Sequence, residues 1–580
     1  MIALAAVAFV VGAIAGAHHG GSPEAKLADQ FVAAWARGDY QTMYGDIDAA
    51  ARRHTSEQQF ARLYEQALTT ATAGKLRVEG RARTTAAAAL RVPVGLHTRL
   101  WGQLHLSFTF RTQSSEGEGA RIAWTRALVF PGLQAGEQLS RHTYLPRRAT
   151  LLARDGSVLA ESSQSSAGQP ATGELTRTSP LGETADAVLG TVGPIPASRL
   201  AVLEAEGVPA NAEVGLSGVE LALDARLRGK PGGELLAGTR PLASVAAHAA
   251  PPVHTTVSPS LQQDSVAALG GRYGGIVAFK PSSGEILAVA GIGLDGLQPP
   301  GSTFKIVTLT GVLQAKIATS RTVFPYATSA TLDGVKLSNA NGEDCGGSLE
   351  LAFAVSCNSV FTPLGVKLGA QRLVTTAERF GFNQEPSVSG AAESSLPPAS
   401  EIQGELAVGS TAIGQGEVLA TPLQMATVAG TIADDGHRPS PTFLPSHPHL
   451  GPTVMSPQVA HTVRHLMTEV VREGTGVSAA IPGVVVAGKT GTAELKTPCK
   501  PEGEASETEA EPSEGEDQAE GHESCQEEEA SNTDAWFAAF APARNPRIVV
   551  CVMLVKDGAG GDTAAPVAKE VLESALRSGV

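Results

Sequence analysis

The sequence predicts a multidomain α+β protein. Its 580 residues exceed one ordinary domain, since domains typically hold about 100 to 200 residues. Runs with the spacing of strands alternate along the chain with amphipathic helical runs, and we see no internal repeat. Hydrophobic residues make up 42% and charged residues 18%, while aromatic residues contribute only 4%. A folded interior built from Ala, Val and Leu is therefore expected.

The formal charge is concentrated in one short segment. Of the net −14, the stretch from residue 501 to 530 accounts for 13 acidic side chains and contains no Lys or Arg. The remaining chain is nearly neutral, so its charge gives no reason to expect a nucleic-acid partner. The acidic stretch is predicted to be a disordered insert over 499–530. The alternative is an interaction tail or gate near a site.

The N-terminal residues 1–20 predict a membrane anchor or signal segment. The run IALAAVAFVVGAIAGA is apolar throughout, although it is short against the roughly 20 residues of a spanning helix. An uncleaved anchor and a signal peptide cleaved after Ala15-Gly16-Ala17 both remain open. Either would export the rest of the chain. With the uncleaved anchor, we expect a cell-membrane protein whose bulk is extracytoplasmic.

Five cysteines are present, and export would permit disulfides. Cys499 and Cys525 bracket the acidic stretch, Cys345 and Cys357 offer a second pair, and Cys551 lies in the apolar run IVVCVMLV. Free thiols remain the alternative for each pair, because sequence does not fix connectivity. No Cys or His group has the spacing of zinc ligands, and neither metal nor cofactor is expected.

Two N-terminal regions have distinct patterns. In EAKLADQFVAAWARGDY, Leu27, Phe31 and Trp35 fall on one helical stripe, and LRVEGRART, LHLSFTFRTQ and ARIAWTRALVF alternate like strands. This α+β unit should end near residue 140. Next, RRATLLARDGSVLAE predicts a hairpin with a turn at Asp155-Gly156.

The C-terminal region predicts a five-stranded sheet between helices. Two strands flank a Ser283-Gly284 turn in GGIVAFKPSSGEILAVAG. Three more strand-like runs are VVVAGKTGTAE, DAWFAAFAP and RIVVCVMLV, and APVAKEVLESAL closes the chain as an amphipathic helix.

The stretch PPGSTFKIVTLTG places Ser302 three residues before Lys305. The preceding prolines and glycine should start a helix at Ser302, so both side chains would share one face. Ser302 would then lie at the positive end of a helix, where free N–H groups can stabilise an oxyanion. Lys305 can act as a base if burial and a nearby positive charge lower its pKa. The alternative is a helix cap followed by a surface lysine.

Two further motifs follow in order. In SCNSVF, the Ser356 hydroxyl could relay a proton and the Asn358 amide could hold a substrate, while the alternative is a capped turn between helices. In VVVAGKTGTAEL, a strand should present Lys489 and two threonine hydroxyls to a carboxylate, with a glycine admitting a substrate backbone. The literal pattern GVVVAGKT also matches a phosphate loop. That hypothesis is disfavoured because Val484 to Val486 are strand-forming and no helix follows.

Together, Ser-x-x-Lys, Ser-x-Asn and Lys-Thr-Gly-Thr resemble the motifs of the penicillin-recognising serine transpeptidases. The flanking phrases PPGSTFKI, IGQGEVLATPLQMATVAG, REGTG and DAWFAAFAPA are similar to class B penicillin-binding proteins. The resemblance implies a nuclear-transport-factor-like domain of the methicillin-resistance type at 24–140 and a linker or dimerisation domain at 141–254. A serine β-lactamase/transpeptidase-like domain with an antiparallel sheet would span 255–580. The chain departs from the family at Ala149, usually Gly, and at Ser258, usually Asp.

The resemblance also implies roles. Ser302 would be the nucleophile, Lys305 its base, Ser356 the proton shuttle and Asn358 a substrate ligand. The terminal carboxylate of the substrate would bind Lys489, Thr490, Gly491 and Thr492. The implied activity is peptidoglycan D,D-transpeptidation of D-Ala-D-Ala stem peptides, with acylation by β-lactams and contacts to the membrane and to cell-wall assembly proteins. An exported serine β-lactamase or β-lactam sensor, and a non-catalytic wall-assembly scaffold, are the alternatives.

Overall fold

A computed structural model describes residues 22–115, 119–162, 177–494 and 532–579. The predicted anchor at 1–20, the acidic insert at 499–530 and the Cys499–Cys525 pair lie outside these ranges. Within them, no helix is long and apolar enough to cross a membrane.

The N-terminal unit is built on the predicted amphipathic helix. Ser22 caps its start by accepting from the Ala25 N–H at 3.3 Å, and Phe31 and Trp35 are fully buried in the core of the unit. Its helices are Pro23–Arg37, Tyr40–Asp46, Ala49–His54 and Glu57–Thr70, and its strands are Ala73–Val78, Arg83–Thr84, Leu90–Thr98, Gly102–Phe110, Thr112–Ser115 and Gly119–Ile122.

One predicted strand is shorter than expected. The run ARIAWTRALVF is a strand only as far as Ile122, and Arg126–Leu128 forms a 3-10 turn. Trp124, Leu128 and Val129 all face the same core, and their spacing of four and one does not match the alternation of a strand.

The middle unit contains the predicted hairpin. Strands Leu151–Leu152 and Val158–Ser162 pair antiparallel around the Asp155-Gly156 turn, and Gly156 has a φ of 84°. The predicted boundary at 140 falls inside strand Leu139–Tyr144, which pairs with Gly232–Ala237. The other elements are helices Glu183–Leu189, Ala197–Ala205, Gly218–Ala222 and Asp224–Leu227, and strands Arg177–Thr178, Val192–Pro194, Glu213–Gly215, Arg240–Val245 and Val253–His254.

A buried ion-pair network holds the middle unit together. The Arg148 guanidinium donates from Nε to Glu220 Oε2 at 2.6 Å and from Nη1 to Asp224 Oδ1 at 2.8 Å. Arg177 donates to the other oxygen of Glu220 at 2.7 Å. The departure at Ala149 leaves this network intact, and its own N–H donates to Leu227 O at 2.8 Å.

The predicted five-stranded antiparallel sheet between helices is confirmed, and the pairing of its strands is antiparallel throughout. In spatial order the strands are Ile286–Gly291, Gly274–Phe279, Ile548–Leu554, Thr533–Ala541 and Ala487–Glu494. Side chains alternate between two cores: Val550 and Val552 pack with helices Pro259–Leu269 and Ala564–Arg577, while Cys551 faces the opposite, helical side. Cys551 is buried and free.

The remaining elements lie mostly on that helical side. They are helices Lys305–Gln314, Leu349–Ala354, Asn358–Leu368, Ala370–Phe380, Gly404–Ala412, Pro422–Ala433 and Pro457–Glu473, strands Val323–Ala327, Ser329–Leu332, Val335–Ser338 and Cys345–Ser348, and 3-10 turns Gly301–Phe304, Ala340–Gly342 and Val477–Ala479. Cys345 and Cys357 form a disulfide, so the thiol alternative is wrong for this pair.

Two details correct or explain the sequence. The expected strand at Val484 to Val486 is wrong, because the strand starts only at Ala487. Gly483 forms a turn with a φ of 77° just before it. Val485 is 52% exposed, and its carbonyl oxygen accepts from the Ala543 N–H. Ser258, which replaces the usual Asp, caps helix Pro259–Leu269 by accepting from Leu261 N at 3.5 Å.

Candidate active site

Ser302 lies in a 3-10 turn over Gly301–Phe304, and the α-helix starts only at Lys305. Helical structure thus begins at Gly301, close to the predicted start at about Ser302, but its first turn is 3-10 and not α. The helix-cap alternative is wrong, because Pro300 occupies the N-cap position. Thr303 closes the turn instead, donating its hydroxyl to Pro300 O at 2.6 Å, and the Gly301 N–H is bound to Gly414 O at 3.0 Å. The Ser302 side chain is consequently not used as a cap.

Lys305 is fully buried, which excludes the surface-lysine alternative. Its Nζ donates to Ser356 O at 2.7 Å, to Asn358 Oδ1 at 2.6 Å and to Ser356 Oγ at 3.3 Å. Burial lowers the pKa of Lys305 well below its ordinary value, and the positive charge of Lys489 lowers it further. Burial and a nearby positive charge are the two conditions under which Lys305 was predicted to act as a base.

Ser356 sits in the turn between helices Leu349–Ala354 and Asn358–Leu368. Its φ of 63° is left-handed, a conformation that costs a non-glycine residue energy and often marks a functional position. Its hydroxyl accepts from both buried lysines and does not cap the following helix. The capped-turn alternative is therefore right that a turn joins two helices here, but it does not account for the contacts of the Ser356 side chain. The Asn358 amide donates to Ser338 O at 2.9 Å.

Lys489 lies on strand Ala487–Glu494 and is also fully buried. Its Nζ donates to Ser356 Oγ at 2.9 Å and to Thr490 O at 3.0 Å. Burial lowers the pKa of Lys489 to about 7. Phe361 and Phe353 wall the two ammonium groups at 5.5 Å and 5.6 Å, so one hydroxyl connects two lysines in an environment with little water.

Two glycines let the Ser302 turn approach this strand. A Cβ on Gly301 would come within 2.7 Å of Thr492 O, and a Cβ on Gly491 within 2.7 Å of Pro300 O. The sequence predicted that the glycine in this strand would let a substrate backbone approach. The space beside Gly491 is instead filled by the Ser302 turn of the protein itself. Thr492 Oγ1 accepts from Gly560 N at 3.3 Å.

The strand Ala487–Glu494 is an edge strand. It is hydrogen-bonded to Thr533–Ala541 on one side, and in the described part of the chain it has no strand partner on the other. An extended peptide can pair with such an edge. Because Gly488 to Thr492 form a paired strand and not a wrapping loop, the phosphate-loop hypothesis is wrong.

Thr475 was not assigned a role from the sequence. Its Oγ1 lies 2.6 Å from Thr490 Oγ1, and its N–H donates to Ala354 O at 3.1 Å. It therefore connects the strand to the helix that precedes Ser356. Its only signal in the sequence was the phrase REGTG, which resembles the family but does not indicate a chemical role for the threonine.

The fold and the site define a class: an α+β domain in which a serine turn, a buried lysine pair and an edge strand converge is the arrangement of an acyl-transferring serine enzyme. Family models give the same class. Residues 274–573 match the penicillin binding protein transpeptidase domain, 159–239 the penicillin-binding protein dimerisation domain and 22–137 the NTF2-like N-terminal transpeptidase domain. The chain belongs to the penicillin-binding protein transpeptidase family. The predicted family is thereby confirmed.

Curated relatives agree. The peptidoglycan D,D-transpeptidase PbpA of Mycolicibacterium smegmatis is 32% identical over 399 residues, covering 56% of this chain and 73% of the relative. The peptidoglycan D,D-transpeptidase MrdA of Acinetobacter baumannii is 27% identical over 463 residues, covering 69% and 66%.

Solved structures give the same result for the fold. A crystal structure of PBPA from Mycobacterium tuberculosis matches with a TM-score of 0.55 and 26% identity, over 75% of this chain and 99% of that one. The penicillin G acyl-enzyme complex of penicillin-binding protein A from M. tuberculosis matches with a TM-score of 0.54 and 26% identity, over 74% and 99%.

Proposed function

We propose that this chain is a serine D,D-transpeptidase that cross-links peptidoglycan, with Ser302 as its nucleophile. The observation that carries the proposal is the hydroxyl of Ser356 held between two buried lysines beside the turn that bears Ser302. Such an arrangement can take a proton from one atom and return it to another without bulk water.

The acylation step follows from these contacts. Ser302 Oγ attacks the penultimate D-Ala carbonyl of a stem peptide while its proton moves to the neutral amine of Lys305. The carbonyl oxygen becomes an oxyanion, which we expect backbone N–H groups of the Ser302 turn and of the edge strand to stabilise. Lys305 then returns this proton through the hydroxyl of Ser356 to the departing nitrogen. The peptide bond breaks, terminal D-Ala departs, and the rest of the stem peptide stays bound to Ser302 as an ester.

The second step returns the enzyme to its starting state. An amine from a neighbouring stem peptide attacks the ester, a new amide forms, and Ser302 recovers its proton through the same groups. Lys489, Thr490, Gly491 and Thr492 would bind the donor carboxylate, and Asn358 the peptide amide. A β-lactam carries a carboxylate and a reactive amide, so we expect it to acylate Ser302 in the same way.

Labelling with a fluorescent penicillin tests this proposal. We expect stable stoichiometric labelling of the purified chain and none after Ser302→Ala, because no ester can form. Ser400→Ala is the matched control, since Ser400 is an exposed serine in the same domain. Rapid turnover of the label would instead indicate a β-lactamase, and labelling that survives Ser302→Ala would overturn the assignment of the nucleophile.

We also propose that residues 1–20 anchor the chain in the cell membrane with its bulk extracytoplasmic, where stem peptides and cell-wall assembly proteins are found. Fractionation of cells that express the chain with and without residues 2–17 tests this. The intact chain should sediment with membranes, and its presence in the soluble fraction would contradict the anchor.

A further inference from the structure

The segment of residues 338–345 lies against the start of helix Asn358–Leu368, which carries part of the reaction site. Three consecutive residues at this helix start are each bound to the segment. Cys357 forms a disulfide with Cys345, the Asn358 amide donates to Ser338 O at 2.9 Å, and the Ser359 N–H donates to Asn339 Oδ1 at 2.8 Å. Asn358 is therefore held through both of its neighbours as well as through its own side chain.

Asn339 is the buried member of this segment, with 5% of its surface exposed. Its Oδ1 accepts from Ser359 N, and its Nδ2 donates to Ala327 O at 2.7 Å and to Glu343 O at 2.8 Å. Because two carbonyl oxygens here need donors and one N–H needs an acceptor, a carboxamide satisfies all three and a hydroxyl or a carboxylate does not. The side chain thus joins the helix start to strand Val323–Ala327 and to its own loop.

The hydrogen bond between Asn339 and Ser359 lies beside the contacts of Asn358. Ser338, which precedes Asn339, supplies the carbonyl oxygen that accepts from Asn358 Nδ2.

Asn358, which precedes Ser359, accepts from Lys305 Nζ through Oδ1 at 2.6 Å. The bond between Asn339 and Ser359 therefore fixes the distance between two backbones, one that carries the Asn358 side chain and one that binds its amide group. Loss of this bond would leave the Asn358 amide free to shift relative to Lys305.

We propose that Asn339 is a positioning residue of the reaction site, which holds Asn358 where its amide can accept from Lys305 and bind the substrate. This inference rests on the proposed function, because it gives Asn339 a task in that same site. Asn339 acts through the backbones of Ser338 and Ser359 and does not itself touch the substrate. A misplacement of about 1 Å in a reacting site can cost on the order of 10²-fold in rate, so a shift of Asn358 is measurable.

The second-order rate of labelling by a fluorescent penicillin tests the role of Asn339 in the full chain. We expect Asn339→Ala to slow labelling by about 10- to 100-fold, because the Asn358 amide is no longer held in place. Gln424→Ala is the matched control: Gln424 is a half-buried amide of the same domain, and its Nε2 donates to the backbone oxygen of Phe380 at 2.9 Å. It should be labelled as fast as the unsubstituted chain, and equal rates in the two variants would overturn the proposal.

A double-mutant cycle with Asn358→Ala separates positioning from a general loss of structure. If Asn339 acts through Asn358, the slowing caused by Asn339→Ala should shrink to less than about twofold once Asn358 has been replaced. Slowing by the same factor in both backgrounds would show a purely structural role and would overturn the proposal.

The melting temperature shows whether Asn339→Ala is folded. If it is not, Asn339→Asp replaces it in the cycle, because aspartate has the same shape and keeps the acceptor for the Ser359 N–H but loses the NH2 group that binds the two carbonyl oxygens. Labelling that requires Ser302 but is as fast in the Asn339 variant as in the unsubstituted chain would overturn this inference alone. No labelling of the unsubstituted chain would instead contradict the proposed function.

Discussion

At the scale of single residues, the central feature is that Lys305 and Lys489 share the hydroxyl of Ser356. Two buried ammonium groups so close together repel each other, and burial disfavours the charged form of each. Burial and the charge of Lys489 both lower the pKa of Lys305, whereas burial alone lowers the pKa of Lys489, so we expect Lys305 to release its proton first. The state with neutral Lys305 and charged Lys489 is the one that can both accept a proton and bind a carboxylate.

The rate of acylation should therefore depend on pH in two ways. It should rise as Lys305 loses its proton, and fall as Lys489 loses its own, which burial places at a pKa of about 7 in the empty site. The two apparent values belong to the coupled pair. Lys489→Arg should remove the alkaline fall, since a guanidinium remains charged over this range, and the measurement is the second-order rate of labelling by a fluorescent penicillin against pH.

The same two groups affect stability with a definite sign. Both have a pKa that is lower in the folded than in the unfolded chain, so the unfolded chain binds more protons between the two values. The free energy of unfolding should then rise with pH from about 7 toward the unfolded value of about 10.4. An unchanged pH profile in denaturant titrations of Lys489→Met would contradict the depressed pKa of Lys489.

Thr475 should act as a positioning residue through Thr490. Its hydroxyl lies 2.6 Å from Thr490 Oγ1, and a hydrogen bond contributes about 1 kcal/mol net, which is roughly fivefold in rate. Thr475→Val should slow acylation by about that factor, and Thr475→Ser should restore it. Thr462→Val is the control, because Thr462 is a half-buried threonine of helix Pro457–Glu473 whose hydroxyl donates to Gln458 O of the same helix. Equal rates in Thr475→Val and the control would exclude the role.

At the scale of elements, the site depends on the close contact between the Ser302 turn and the edge strand. Gly491 makes this contact possible, because a Cβ there would lie 2.7 Å from Pro300 O and 3.0 Å from both Thr303 Cγ2 and Trp536 Cβ. None of these neighbours is the free end of a flexible side chain. The backbone of the turn must therefore move if the glycine is replaced.

We expect Gly491→Ala to destabilise the chain by about 1 to 3 kcal/mol, the usual cost of overpacking, and to reduce labelling because Ser302 is displaced. Gly45→Ala is the control: Gly45 lies in helix Tyr40–Asp46 with nothing within 4 Å of its missing Cβ. Thermal unfolding and the rate of labelling measure the two effects. A fully active, fully stable Gly491→Ala would show that the contact is not needed.

At the scale of the whole molecule, the middle unit and the catalytic domain share one core. Leu151 and Leu227 of the middle unit belong to the same buried cluster as Val277 and Phe304, while the cluster around Trp35 includes no residue of the catalytic domain and reaches the middle unit at Leu235. Damage to the middle unit should therefore reach the site. Damage confined to the N-terminal surface should not.

Arg148→Met tests this coupling. It leaves the buried Glu220 and Asp224 without a principal partner, and breaking a buried ion pair costs about 3 to 5 kcal/mol. We expect the temperature at which the chain loses its ability to be labelled to fall. Arg62→Met, which removes an exposed arginine of the N-terminal unit, should leave it unchanged; equal effects of the two substitutions would contradict a shared core.

The sequence was sufficient for the fold class because the periodicity of apolar residues determines which faces are buried. It also located the motif residues, because their neighbours restrict the local backbone. The prolines before Ser302, for example, limit where the helix can begin. It failed where tertiary contacts decide: Gly414 O binds the Gly301 N–H and Thr303 binds Pro300 O in the 3-10 turn at Ser302, and strand pairing begins only at Ala487, after the turn at Gly483. Thr475 was missed because its partner, Thr490, is distant from it in sequence.

Ser356 has a left-handed backbone with a φ of 63°, so the residue that would best stabilise the fold here differs from the residue that the reaction needs. Glycine would relieve this strain, since it adopts such a φ freely, yet it would remove the oxygen that both lysines contact. Selection for stability alone would favour losing the hydroxyl, and only selection for wall synthesis would retain it. A serine at this position would therefore indicate selection for catalysis. A library of variants at position 356, sorted once for folding and once for labelling by penicillin, would measure the two requirements separately.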